Sequence, residues 1–321
     1  MSHKFNLETY IAFLTANGNR YSGIEASKAL QGTFNSPAHD SISRWLAFAK
    51  CASDDLWKEV STHSPMNGNL IVDDTVLDKR WSPKNDLVHY HWSGNEHRNV
   101  LGISLVNLLA TDGEKCLPVD YRVYEGAESK ITKNDHFQNM LETAQQRGFK
   151  PRYVLSDAWY SSLENMKAIV KKGWRFIMGI KENRLVNEIQ GNYRHVSALD
   201  WTEKQVRKVW LKGFGFVLVA RIVFKNGDTR YMATNDLSLT DYERFSHECK
   251  QRWIIEEFHR GIKQTTGIEK CYSILKNSQL THIFASFIAF VRLEFHRLTT
   301  GISWYEQKAQ LVRLGIIHVF A

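Results

Sequence analysis

The segment "NLIVDDTVL" (residues 69–77) decides the fold class. Leu70, Ile71 and Val72 make an apolar run too short for a helix, so the segment reads as a buried strand. Asp73 and Asp74 close that run. A charge at the end of a buried strand is unfavourable unless it is paired or bound to a metal. Adjacent strand residues face opposite sides, so only one of the two aspartates can look into a given site.

Downstream, "VHYHWSG" (88–94), "NVLGISLVNLLA" (99–110) and "CLPVDYRVYEG" (116–126) carry β-branched and aromatic residues between turn residues, which predicts further strands. "ITKNDHFQNMLETAQQRGF" (131–149) is an amphipathic helix ending at Gly148, and "RYVLSD" (152–157) is a strand ending on Asp157. A helix in "SSLENMKAIVKKG" (161–173) and a strand in "WRFIMGI" (174–180) complete a strand–helix–strand unit. Such a unit predicts a parallel pair with a right-handed crossover. Its helix has capping-box spacing at Ser161 and Glu164.

From 185 to 240 the pattern alternates, with the hairpin-like "KNGD" (225–228) and no long helix, which predicts a β-rich insertion. Helical periodicity returns in 238–264 and 280–298. Residues 1–62 are helical, in "LETYIAFLTA" (7–16) and "SISRWLAFAKCA" (41–52), with Asp40 placed to cap the second helix. They read either as a DNA-gripping helical region or as a helical cap on the main core. The expected divisions are therefore 1–62, a first core segment 63–184, the insertion 185–240, a second core segment 241–300 and a C-terminal tail 301–321.

The 321 residues, 43% hydrophobic and 24% charged, are globular in composition. A net charge of +8 favours a polyanionic partner. Cys51, Cys116, Cys249 and Cys271 form no CxxC pair, so neither a structural zinc site nor a disulfide framework is expected. The N-terminal stretch lacks a signal-peptide pattern, and "IFASFIAFV" (283–291) is too short to span a bilayer. A cytoplasmic protein without membrane contact is expected.

In "QRWIIEEFHRGIKQ" (251–264) a helix advances about 100° per residue, so Arg252, Glu256, His259 and Lys263 share a stripe roughly 60° wide. Glu257 points about 100° away from Glu256. Glu256 thus faces three potential cations, either in a solvated face of helical ion pairs or in a site. Two strand-borne aspartates facing a helix-borne glutamate would make an oxygen-rich site suited to Mg²⁺. A pair of such ions about 3.5 to 4 Å apart clamps both oxygens of an in-line phosphoryl displacement.

These residues resemble the DDE transposases of bacterial insertion sequences, in the branch whose last catalytic helix carries a Tyr-Arg-Glu-Lys signature. The signature's offsets select Cys249, Arg252, Glu256 and Lys263, so cysteine replaces the tyrosine and its hydroxyl. The first aspartate of that family lies in an Asp-x-Thr strand, matched by Asp73, Asp74 and Thr75, and the second follows a strand as in "VLSDAWYSS" (154–162). Asp73 stands two before Thr75 and is preferred, with Asp74 as its alternative. The resemblance covers residues 68–300. It implies an α/β fold, a ribonuclease H-like mixed sheet flanked by helices, with a β-rich insertion and a helical N-terminal region. It also implies that Asp73, Asp157 and Glu256 hold two Mg²⁺ ions, with Mn²⁺ as a substitute, while Arg252 and Lys263 bind DNA. The activity implied is metal-dependent cleavage of element ends and strand transfer. The expected partners are double-stranded DNA, both terminal repeats and target, with the chain acting on it as a homodimer. A metal nuclease of the same fold that joins no strands, and a DNA-binding protein without catalysis, are the alternatives.

Lys181 and Arg184 in "GIKENRL" (179–185) fall where the site should open and are candidate phosphate contacts beside a solvated-turn reading. His89, His91, Glu96 and His97 form a possible transition-metal arrangement, though substrate contact is preferred. Trp201 and Trp210 read as core residues or as platforms for an unpaired base.

Overall fold

The computed structural model describes residues 5–320, apart from 19, 33–35, 52, 94–96, 127–128, 190, 203–204 and 225–226. Four helices come first, α1 (Leu7–Ala16), α2 (Gly23–Ala29), α3 (His39–Phe48) and α4 (Ser53–Val60). They are followed by β1 (Asn69–Asp78), β2 (His89–Ser93), β3 (Arg98–Thr111), β4 (Leu117–Tyr124), α5 (Lys133–Gln146), β5 (Val154–Ser156), α6 (Leu163–Lys171) and β6 (Phe176–Ile180). The remaining strands are β7 (Leu185–Asn187), β8 (Arg194–His195), β9 (Val206–Leu211), β10 (Gly215–Val223) and β11 (Thr229–Thr234). The chain closes with α7 (Tyr242–Lys250), a 3₁₀ turn (Gln251–Trp253), α8 (Ile254–Thr266), α9 (Lys276–Thr300) and α10 (Trp304–Phe320).

β1 lies in the middle of a mixed sheet. It pairs antiparallel with β3, which carries β4 and β2, and parallel with β5, which is in turn parallel to β6. The order β4-β3-β1-β5-β6 gives a ribonuclease H-like core. Leu70, Ile71 and Val72 are fully buried, as a strand covered on both faces requires.

The β-rich insertion extends this sheet. β11 pairs antiparallel with β6, setting Gly179 against Met232 and Ile180 against Tyr231, and β10, β9, β7 and β8 follow outward. Pairing with β11 satisfies the backbone groups that an exposed β6 edge would leave open. The hairpin predicted at "KNGD" joins β10 and β11, with Val223 opposite Thr229; Lys225 and Asn226 lie outside the described residues.

The helices α1, α3 and α4 pack as a helical cap on the main core. α1, α3 and α4 lie on α9, and Phe5, Ile42 and Leu56 join the common core. The hydroxyl of Tyr10 in α1 lies 2.8 Å from His282 Nδ1 in α9. Three local readings change. Asp40 sits inside the first turn of α3, with Ala38 as its N-cap. The cap of α6 is Ser162, whose hydroxyl accepts from Asn165 N at 3.1 Å, while Ser161 donates to Ala158 O. The C-terminal tail is the helix α10: buried Trp304 packs on Phe290 at 4.8 Å between ring centroids, and its indole N–H donates to Glu294 Oε2 at 2.8 Å. A side chain at Gly261 of α8 would collide with the Trp304 ring, so glycine permits that approach. The four cysteines form no disulfide. No described helix is long and apolar enough to cross a membrane.

α9 links cap, sheet and α8 through rings such as Phe287, which is buried and stacks on Tyr121 of β4 at 4.2 Å. Phe287→Ala should lower the free energy of unfolding by about 3–5 kcal/mol in urea titrations. Trp81→Ala, at a largely exposed side chain, should change it by about 0.5 kcal/mol or less.

Candidate active site

Parallel pairing of β1 with β5 sets Val72 beside Ser156, so Asp73 and Asp157, each the next residue, emerge side by side. α8 packs on β1 and brings Glu256, in its first turn, to the same place. All three carboxylates line one cleft of about 780 Å³. Asp157 Oδ1 accepts from the backbone N–H groups of Trp159 at 2.9 Å and Tyr160 at 3.4 Å. Asp73 Oδ1 accepts from Asp74 N at 2.8 Å.

Arg252, in the 3₁₀ turn, spans the carboxylates: its Nη1 lies 3.1 Å from Asp73 Oδ2 and 3.5 Å from Glu256 Oε1. Burial, and next the negative charge of Asp157, push the Asp73 carboxyl well above its ordinary range, with Arg252 pulling the other way. Burial also raises Asp157, opposed by the backbone N–H of Trp159 and by Arg252. These shifts mark a place where negative charge is held at a cost until a cation compensates it.

Asp74 is not among the residues lining this cleft. It accepts from Lys133 Nζ at 2.6 Å and from the Tyr160 hydroxyl at 3.1 Å. The stripe predicted on α8 is divided among different partners. His259 is buried 3.0 Å from the Asn107 amide nitrogen, and burial takes its pKa down to about 3, so it is a neutral ring instead of a cation. Lys263 donates to Val76 O at 2.7 Å and pairs with Glu269 at 2.9 Å, tying β1 to the loop after α8. Glu257 is exposed and away from the cleft. Cys249 is mostly covered, and burial pushes its thiol up.

Lys181 lines the cleft, whereas Arg184 reaches back to Ser161 O at 3.2 Å. Sequence reading missed Arg230, brought to the cleft by the pairing of β11 with β6, and Trp253, which lines it while 51% exposed. Trp253 directly follows Arg252 but falls outside the predicted stripe on the helical wheel, and the 3₁₀ turn that carries both brings it to the cleft. Trp201 is core, its indole donating to Val196 O at 3.0 Å; Trp210 is partly exposed against Phe216. Burial depresses His91 to about 4, and Glu96 lies outside the described residues.

With this geometry in place, the comparison with known families is decisive. The Transposase DDE domain profile matches residues 67–292, the span from just before β1 into α9. The chain belongs to the DDE transposase family. Its fold is similar to piggyBac transposase in a synaptic complex with hairpin DNA, with a TM-score of 0.60 and 9% identity over 95% of this chain and 68% of that one. The Drosophila P element transposase strand transfer complex is a more distant neighbour, with a TM-score of 0.33 and 9% identity over 60% of this chain and 47% of that one. No curated protein sequence matches the chain.

As a DDE transposase the chain is an enzyme acting on DNA, and membership in the family implies a divalent metal. The donor chemistry fits: three carboxylates supply hard oxygens in one cleft. Among the described residues no three acidic, histidine or cysteine side chains stand close enough to enclose an ion. Arg252 supplies the positive charge between Asp73 and Glu256, pairing with both carboxylates.

A folded-state pKa raised above the unfolded value means that stability is fully present below the unfolded pKa and is lost as pH rises through the folded pKa. Asp73→Asn should therefore raise the melting temperature of the metal-free protein at pH 8, in EDTA. The gain should shrink towards zero as pH falls to about 4, near the unfolded aspartate pKa. A constant gain at every pH would mean that the charge of Asp73 is not its source.

Proposed function

We propose that Asp73, Asp157 and Glu256 are the catalytic carboxylates of an insertion-sequence transposase of the Tyr-Arg-Glu-Lys branch. In this reading they hold two Mg²⁺ ions, for which Mn²⁺ substitutes. The observation that carries it is the convergence of the three carboxylates with Arg252 in one cleft whose rim bears Lys181 and Arg230. When bound, the metal supplies Lewis acidity at the scissile phosphate. The reaction is hydrolysis at an element end, in which a water oxygen bonds to phosphorus and the strand leaves as a 3′-hydroxyl. That hydroxyl then attacks a second phosphodiester, so one phosphate ester is exchanged for another without an enzyme-bound intermediate.

The chain's own groups divide the remaining work. Asp73 and Asp157 are held by strands and a hydrogen-bonded turn, so their oxygens are positioned before substrate arrives. Arg252, once it leaves Asp73, is within the same cleft as the DNA backbone it would bind, and Lys181 and Arg230 extend that positive rim. Trp253 offers a ring face to a base beside the cut. Lys263 and Arg184, each engaged with a backbone carbonyl, anchor the walls of the cleft. Two copies acting on paired ends, in the cytoplasm, complete the reading.

Glu256→Gln should abolish cleavage of end-containing DNA while leaving binding nearly intact, and Glu257→Gln should be mild. The reverse pattern would sink the assignment of Glu256. For binding, Lys181→Ala and Arg230→Ala should each flatten the slope of log K against log salt by about 0.9. Slopes equal to that of the wild type would remove these two residues from the DNA contact.

A further inference from the structure

We propose that Asp74, Lys133 and Tyr160 form a positioning network that fixes the separation of Asp73 and Asp157, and so sets the affinity of the cleft for its divalent metal. The inference rests on the reading of those two carboxylates as metal ligands.

The first link is the position of Asp74. It is the neighbour of Asp73 on β1, so its side chain emerges on the other face of the sheet. There it meets Lys133 Nζ at 2.6 Å and the Tyr160 hydroxyl at 3.1 Å. Lys133 is the first residue of α5, where the helix dipole disfavours a cation. The capping box formed by Thr132 and Asp135 fixes that helix end, and the Lys133 ammonium lies 5.6 Å from the ring centroids of Tyr124 and Trp159. A lysine in the least suitable helical position, opposite a partly buried aspartate, is accounted for by the charge it neutralises.

Tyr160 supplies the second link. Its side chain is fully buried and stacks on Phe137 of α5 at 5.4 Å, while its carbonyl accepts from Asn165 Nδ2 at 2.9 Å. Asn165 is itself buried and donates to Asn134 Oδ1 of α5 at 2.7 Å. The backbones of Trp159 and Tyr160 are the groups that donate to Asp157 Oδ1. One short turn therefore holds the Asp157 carboxylate with its backbone and grips Asp74 and Lys133 with its side chains. A shift of Tyr160 moves Asp157 relative to Asp73, because Asp74 and Asp73 are consecutive residues of one rigid strand. Partners one step removed from a metal commonly change its affinity by about 10–100-fold when lost.

The test is a titration with Mn²⁺ alone, in which electron paramagnetic resonance of the free ion reports binding, together with melting temperatures in EDTA. Tyr160→Phe, Lys133→Met and Asp74→Asn should each raise the Mn²⁺ midpoint about tenfold, Lys133→Arg should restore it, and Asp73→Asn should abolish binding. Wild-type midpoints in Tyr160→Phe and Lys133→Met, with or without a lower melting temperature, would reduce the network to ordinary packing and overturn the proposal. Loss of all binding in Asp74→Asn, with Tyr160→Phe and Lys133→Met unaffected, would also overturn it by making Asp74 a direct ligand. Absence of Mn²⁺ binding by the wild type would overturn the catalytic reading itself, a result distinct from either.

Discussion

Two half-buried carboxylates at the same level of adjacent parallel strands repel each other, and the architecture around β1 and β5 is arranged to tolerate that repulsion. Asp73 is partly shielded from solvent, and its charge is offset by Arg252 on one side and by the N–H of Asp74 on the other. Asp157 is offset by two backbone N–H groups of its own turn. Well-packed apolar residues would be more stable at these positions, because burying charge carries a desolvation penalty that pairing only partly returns.

Arg252 is the pivot of this balance. The 3₁₀ turn that carries it joins α7 to α8, so the guanidinium, Trp253 and Glu256 reach the cleft from one short stretch of chain. Within the cleft that guanidinium pairs with both Asp73 and Glu256. Lys263, by contrast, already has a backbone carbonyl and Glu269 as partners.

The continuity of the sheet matters as much as the cleft. Because β11 joins β6 edge to edge, the insertion contributes Arg230 and Tyr231 to the wall beside Asp157. Close packing also limits that wall: a side chain at Gly179 would approach the backbone nitrogen of Ala158, next to Asp157, at 2.8 Å. On the far side, the helical cap and α10 both close on α8 and α9, where Gly261 admits the ring of Trp304. α8 is thereby held by the helical cap on one side and α10 on the other.

The parallel pairing of β5 with β6 and the acidic residues at the ends of apolar strands were legible in the sequence, because apolar periodicity and abrupt acidic endings of strands are local patterns. The difference between Asp73 and Asp74 was legible only as alternation. Which of them faces the cleft follows from the neighbours β1 acquires, Arg252 from one side and Lys133 with Tyr160 from the other. Helical arithmetic put His259 and Lys263 beside Glu256, yet arithmetic carries no burial. Tertiary packing made one a neutral ring against Asn107 and the other an anchor on Val76. The segment from Trp304 read as a tail because the packing of α10 on α1, α8 and α9 is made with distant parts of the chain, and Arg230 was missed because strand pairing across about 50 residues leaves no local trace. The sequence by itself determined which groups could carry charge near the core; the tertiary structure alone decided which of them share a cleft, since that depends on register and packing between distant segments.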